Sequence, residues 1–154
     1  MGISPGTWRV DDSSLVITKD LLASAAYQGP VDGSSTTEVA VPILSGGGTA
    51  LQFTTIKDDQ LVKLTYNAEC GVEAARGTWL GLRLVVDGVE AAPASGFDFA
   101  LCSSVAPNSF YYSSGYRQSV ITIPKAGVHK VRVFASGSDI YTTWGLANSS
   151  LTVE

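Results

Sequence analysis

Charge is scarce in this chain of 154 residues, where Asp, Glu, Lys and Arg make up 16% against about 25% in an average soluble protein. The small balance is acidic, with 14 carboxylates against 10 basic side chains and a formal charge of -4. A nucleic-acid binder needs a basic face to displace counterions from phosphate, so that class is excluded. Long apolar runs are missing too. The stretch from Val39 to Ile56 is broken by Pro42 and by Gly46, Gly47 and Gly48, which leaves no membrane span and no membrane insertion. Met1 to Gly6 carries Ser4 and Pro5 with no apolar run behind it, unlike a signal peptide. Helical periodicity is nearly absent. The best candidate, Leu21 to Gln28, stops at Gly29 and Pro30 and allows one or two turns at most.

What the chain has instead is two-residue alternation punctuated by turns, the pattern of antiparallel strands with one wet face. In Gln60 to Cys70, Val62, Leu64, Tyr66, Ala68 and Cys70 share one face. In Thr78 to Val86 the inward set is Leu80, Leu82, Leu84 and Val86, and Asp87-Gly88 then signals a hairpin into Val89 to Ala92. Further strands are read at Thr36 to Leu44, Thr49 to Ile56, Phe97 to Cys102, Gln118 to Pro124, Val128 to Ala135 and Leu146 to Val153, and one in Trp8 to Lys19. Lys125 to Gly127 and Gly46 to Gly48 read as tight turns. About ten short strands exceed one open sheet of this size, which predicts an all-β fold, an antiparallel β-sandwich or jelly roll. The spacing divides the chain into an N-terminal strand or arm over 1–20, a linker over 21–37 holding Gly29, Pro30 and Gly33, and a sandwich over 38–154.

The two ends echo each other. Residues 7–17 read TWRVDDSSLVI and residues 143–153 read TWGLANSSLTV, identical at five of eleven positions. In each, alternation puts Leu15 and Ile17, or Leu151 and Val153, on one face and the Trp on the other. Three explanations stand: equivalent edge positions within one sandwich, a unit cut from a tandem array, or an N-terminal strand that pairs with a neighbouring copy. The last two make head-to-tail contacts, which give rings or filaments. Trp8, Val10, Leu15 and Ile17 are then the assembly strand, and copies of the chain are its partners.

Catalytic chemistry finds little to work with. His129 is the single histidine; it shares a strand face with Val131 and Val133, and neither spacing nor a Gly-x-Ser-x-Gly elbow brings a nucleophile to it. Its plain reading is a strand-end residue bonded to backbone or solvent. Cys70 and Cys102, the only cysteines, lack zinc-finger spacing. They are either two buried thiols or a disulfide, whose loop of about 32 residues is worth roughly 3.7 kcal/mol by chain entropy. The pairs Asp11-Asp12 and Asp58-Asp59 read as solvated acids, since strand neighbours point to opposite faces and calcium takes six to eight oxygens. The sequence therefore predicts no enzyme, no cofactor and no metal site. Its one candidate ligand surface is the loop NSFYYSSGYR, with Phe110, Tyr111, Tyr112 and Tyr116 next to Arg117. Loop tyrosines stack on sugars, anchor interfaces or pack the end of a sandwich.

The Ala-Glu-Cys strand end at 68–70, the Trp-Leu strand at 79–80, the Val-Asp-Gly hairpin at 86–88 and the Ser-Ser-Leu closing strand resemble secreted bacterial β-sandwich modules of unassigned function. Their architecture is similar to jelly-roll domains of the complement C1q and tumour-necrosis-factor type. The resemblance spans most of Thr36 to Glu154 and implies a non-catalytic, exported module that assembles and binds partners. The composite expectation is an extracellular or cell-surface subunit, a cytosolic one being left open, that self-assembles through its N-terminal strand. The alternative is a carbohydrate-binding or adhesive module using the aromatic loop.

Overall fold

The structure is a computed structural model that describes residues 21–75, 77–104, 106 and 110–154. Its described strands are β1 (Ala23–Tyr27), β2 (Val31–Ser34), β3 (Val39–Ala40), β4 (Leu51–Thr55), β5 (Gln60–Glu73), β6 (Trp79–Val86), β7 (Val89–Glu90), β8 (Cys102–Ser103), β9 (Ser113–Ile123), β10 (Gly127–Gly137) and β11 (Thr143–Val153), with a 3-10 turn at Phe97–Phe99. They form two antiparallel sheets. Sheet A runs β1-β11-β5-β9, with β2 following β1 along β11. Sheet B runs β3-β10-β6-β7, with β4 also on β10 and β8 also on β6. Counting each broken strand once, the first pairs with the last, the second with the seventh, the third with the sixth and the fourth with the fifth. That nesting is a rolled-up hairpin, so the chain is a jelly-roll β-sandwich.

The core lies between the sheets, where Val62, Leu64, Tyr66, Leu80, Leu82, Leu84, Val131, Val133, Trp144, Leu146 and Leu151 are all buried. The alternation predicted these faces on β5 and β6, because one side of each strand must leave water. The turns also agree. Asp87 (φ 49) and Gly88 (φ 89) sit in the left-handed region that a two-residue hairpin demands, and Gly47 has φ 81 in the 44–48 turn, closed by Gly47 N–H donating to the Leu44 carbonyl.

Five sequence expectations need correction. Leu21 to Gln28 is strand, not helix: Ala23 to Tyr27 pair with Val153 to Ser149, because ladder bonds and burial outweigh a short segment's helical preference. The expected linker 21–37 therefore contains two strands of sheet A. Phe97 to Cys102 is a 3-10 turn followed by the two-residue β8. Finally, β11 is not a marginal strand, being bonded to β1 and β2 on one side and β5 on the other. Nor does Trp144 oppose Leu151. A register shift between Ala147 and Ser150, with Asn148 at φ 48, reverses the phase and brings Trp144, Leu146, Leu151 and Val153 to the same interior. Trp8, Val10, Leu15 and Ile17, the assembly strand read from the sequence, lie outside the described residues.

Candidate functional site

The aromatic segment is built on two glycines. Gly71 of β5 and Gly145 of β11 are direct cross-strand partners, and their missing side chains leave bare backbone on the outer face of sheet A. Phe110 fills that space. A Cβ on Gly71 would lie 2.7 Å from the Phe110 ring and one on Gly145 would lie 2.9 Å from it. Tyr112 packs beside it with ring centroids 5.1 Å apart at 75°, the edge-to-face geometry that aromatic quadrupoles favour. The same point on Gly145 lies 2.7 Å from the Tyr112 hydroxyl and 3.0 Å from Oδ1 of Asp32. Phe110, Tyr112 and Asp32 thus converge on one spot above β11.

Around this platform the sheet is polar. Asn67 and Glu69 are exposed on β5, and Tyr116 stands opposite Asn67 on β9. Asn148, at the bulge, donates to Oε2 of Glu69 at 2.8 Å. Tyr112 is half exposed, and Tyr111 and Tyr116 are more so. Burial raises the Tyr112 pKa, and the Asp32 and Glu69 carboxylates raise it further. So three tyrosines face solvent while Phe110 serves as packing. Tyr116 belongs to a strand, not to the loop, because β9 already begins at Ser113.

Arg117 separates from this group. It alternates to the inner side of β9 and is 4% exposed. Its Nη1 donates to the Phe99 carbonyl at 2.9 Å, Nη2 donates to the Pro93 carbonyl, and the guanidinium lies 5.2 Å from the Phe99 ring centroid. Burial lowers its pKa. Arg117 therefore pins the 93–99 segment to β9 rather than presenting a charge to a ligand. A cleft of about 270 Å³ beside it is lined by Pro93, Asp98, Phe99, Tyr116 and Gln118.

Cys70 and Cys102 form a disulfide with Cα atoms 6.3 Å apart, joining β5 of sheet A to β8 of sheet B. The bridge anchors the start of the segment that carries Phe110 and Tyr112.

His129 gathers two side chains that no spacing announces. Its Nδ1 lies 2.7 Å from Oδ2 of Asp87 and its Nε2 3.0 Å from Oγ1 of Thr55. The plain reading of His129 as bonded to backbone or solvent is therefore corrected. Register explains the meeting: His129 pairs with Phe53 two residues from Thr55, and the β6–β7 turn delivers Asp87. Thr55 is 2% exposed, and its hydroxyl also donates to the Lys125 carbonyl at 3.4 Å. Asp58 ties two turns together in the same region, accepting from Ala126 N at 2.9 Å and meeting Lys125 Nζ at 2.7 Å. Among the described residues no three His, Cys, Asp or Glu side chains are grouped to hold a metal. No helix there is long and apolar enough to cross a membrane.

Asp32, Glu69, Asn148 and the two glycines escaped the sequence reading. They lie on three strands distant in sequence, and only Gly71 following Cys70 and Gly145 following Trp144 hinted that something covers the outer face.

No family model matches the chain, and no curated protein matches it. Among solved structures, the EclA C-terminal domain, described as a sugar-binding protein, is similar at 10% identity and a TM-score of 0.39, over 83% of this chain and 79% of that one. An infectious bursal disease virus structure, Gx strain, is similar at 11% identity and a TM-score of 0.49, over 86% of this chain and 31% of that one. The Eiger TNF of S. frugiperda is similar at 14% identity and a TM-score of 0.43, over 86% and 91%. Such distant likenesses assign no function, and the jelly-roll assignment stands on the strand order itself.

Proposed function

We propose that this protein is a non-catalytic, extracellular or cell-surface binding module that takes a glycan on the outer face of sheet A. The observation carrying this reading is the glycine-seated aromatic platform. Phe110 fixes the segment, leaving the Tyr112 ring held at the surface, and Tyr116 projects from the same face with Asn67 and Glu69 between them. Pre-positioned rings stack on sugar faces without a large ordering cost, and flanking amides and carboxylates hydrogen-bond the hydroxyls. A glycan array tests it. Binding that falls at least about tenfold in Tyr112→Ala and Tyr116→Ala supports the reading, and a blank array rejects it.

A second reading concerns assembly, favoured by the echo between residues 7–17 and β11. The slot that suits this pattern is filled in each protomer by β11 itself, between β1/β2 and β5. With that slot taken in every copy, a surplus segment of the same kind pairs by adding to a sheet edge of another copy, which makes the contact head-to-tail. Sedimentation of the full chain and of a chain lacking residues 1–20 tests this. Assembly lost on truncation supports it, and identical profiles reject it.

A further inference from the structure

Resting on the glycan reading, we infer that the platform on sheet A selects an amine-bearing glycan, one with protonated glucosamine-type units, over neutral or acidic chains. The tyrosine platform makes the site, and the charges around it choose the ligand. Asp32, Glu69 and Glu73 are all exposed beside it, Glu69 and Glu73 flanking Gly71 on the same phase of β5. Asp32 shares its spot above Gly145 with the Tyr112 hydroxyl, yet among the described residues its carboxylate has no hydrogen-bond or ion-pair partner. One oxygen of Glu69 is taken by Asn148.

Among the described residues of sheet A, cations are scarce where an acidic sugar would need them. The five strands of sheet A contain only Lys63 and Arg117 as basic residues. Arg117 is buried and committed to carbonyls. Lys63 lies six residues from Glu69 along β5, roughly 20 Å at strand rise, and is paired with Glu154. A uronate or sulfated sugar at Tyr112 would thus meet carboxylates with no compensating charge from the described strands of this sheet. An ammonium group meets the opposite: an aromatic face that attracts cations and a carboxylate with free lone pairs beside it. Burial is the main cause of the raised Tyr112 pKa, and the Asp32 and Glu69 carboxylates add to it.

The test is calorimetric titration of the full chain with three oligosaccharides of equal length: glucosamine oligomers at a pH where their amines are protonated, N-acetylglucosamine oligomers, and oligogalacturonate. The glucosamine oligomer should bind about tenfold more tightly than its acetylated counterpart, and the gap should close as salt is raised. Asp32→Asn, an isosteric change on an exposed side chain, should narrow the gap by weakening glucosamine binding more than acetylated binding. Equal affinities for the first two, or tighter binding of oligogalacturonate, overturn the charge inference while leaving a glycan-binding face in place. Binding of none of these, together with a blank glycan array, removes both.

Discussion

Gly145 stands directly opposite Gly71 across the β11–β5 ladder, and the Phe110 ring covers both. A side chain at either position would compete with that ring for the same volume. Gly145→Val should therefore lift Phe110 and Tyr112 off the sheet while the ladder, which tolerates Val, persists. The expected outcome is faster amide exchange at residues 110–112 and glycan binding weakened at least about tenfold. Unchanged exchange there would show that the platform does not depend on bare backbone.

The disulfide closes a 32-residue separation and fastens the two sheets. Replacing both cysteines by Ser should lower unfolding free energy by about 3 to 4 kcal/mol on the chain-entropy estimate, measured by urea titration. A loss below about 1 kcal/mol would mean that the unfolded chain is little constrained by the bridge.

Arg117 spends its charge on the carbonyls of Phe99 and Pro93. Arg117→Met keeps much of the apolar stem and removes both bonds, so a loss of about 2 to 4 kcal/mol is expected. Amide exchange should quicken first in the segment around Phe97 to Leu101. Exchange that quickened uniformly would place the role of Arg117 in the core and not in that segment.

Acid should act through Asp87. Partial burial pushes its pKa up, but hydrogen bonds from the His129 ring and the Lys130 backbone N–H outweigh this and hold it below the ordinary aspartate value. A lowered folded pKa means that the stabilisation is complete above the unfolded pKa, about 3.9, and fades as pH falls through the lower folded one. Since the carboxylate is half exposed, the amount is small, about 1 kcal/mol or less. Asp87→Asn should flatten the acid limb of a stability–pH curve; an identical limb in both proteins would assign it to other carboxylates.

The fold was legible where alternation met turn chemistry. Val62 to Cys70 and Leu80 to Val86 reported their buried faces, and Asp87-Gly88 reported its hairpin, because pleat and left-handed turns are local demands. Ala23 to Tyr27 misled, since five residues with weak preferences take whatever conformation a waiting ladder on β11 provides. Trp144 misled for a different reason: one bulge at Asn148 inverts the phase, and no periodicity count anticipates an inserted residue. Of the site, the tyrosines were visible as composition, but the seat beneath them was not.

Sequence alone decided that this chain is an all-β sandwich with a single histidine and an aromatic stretch near residues 110–116, since those follow from period, turns and inventory. The tertiary structure alone decided that Asp32, Glu69, Gly71, Gly145 and Tyr112 meet on one face, that Arg117 turns inward, and that Thr55 and Asp87 close on His129. Each of these depends on which strands become neighbours and in what register. Register is settled by burying the whole core at once, a global balance that no short stretch of chain contains.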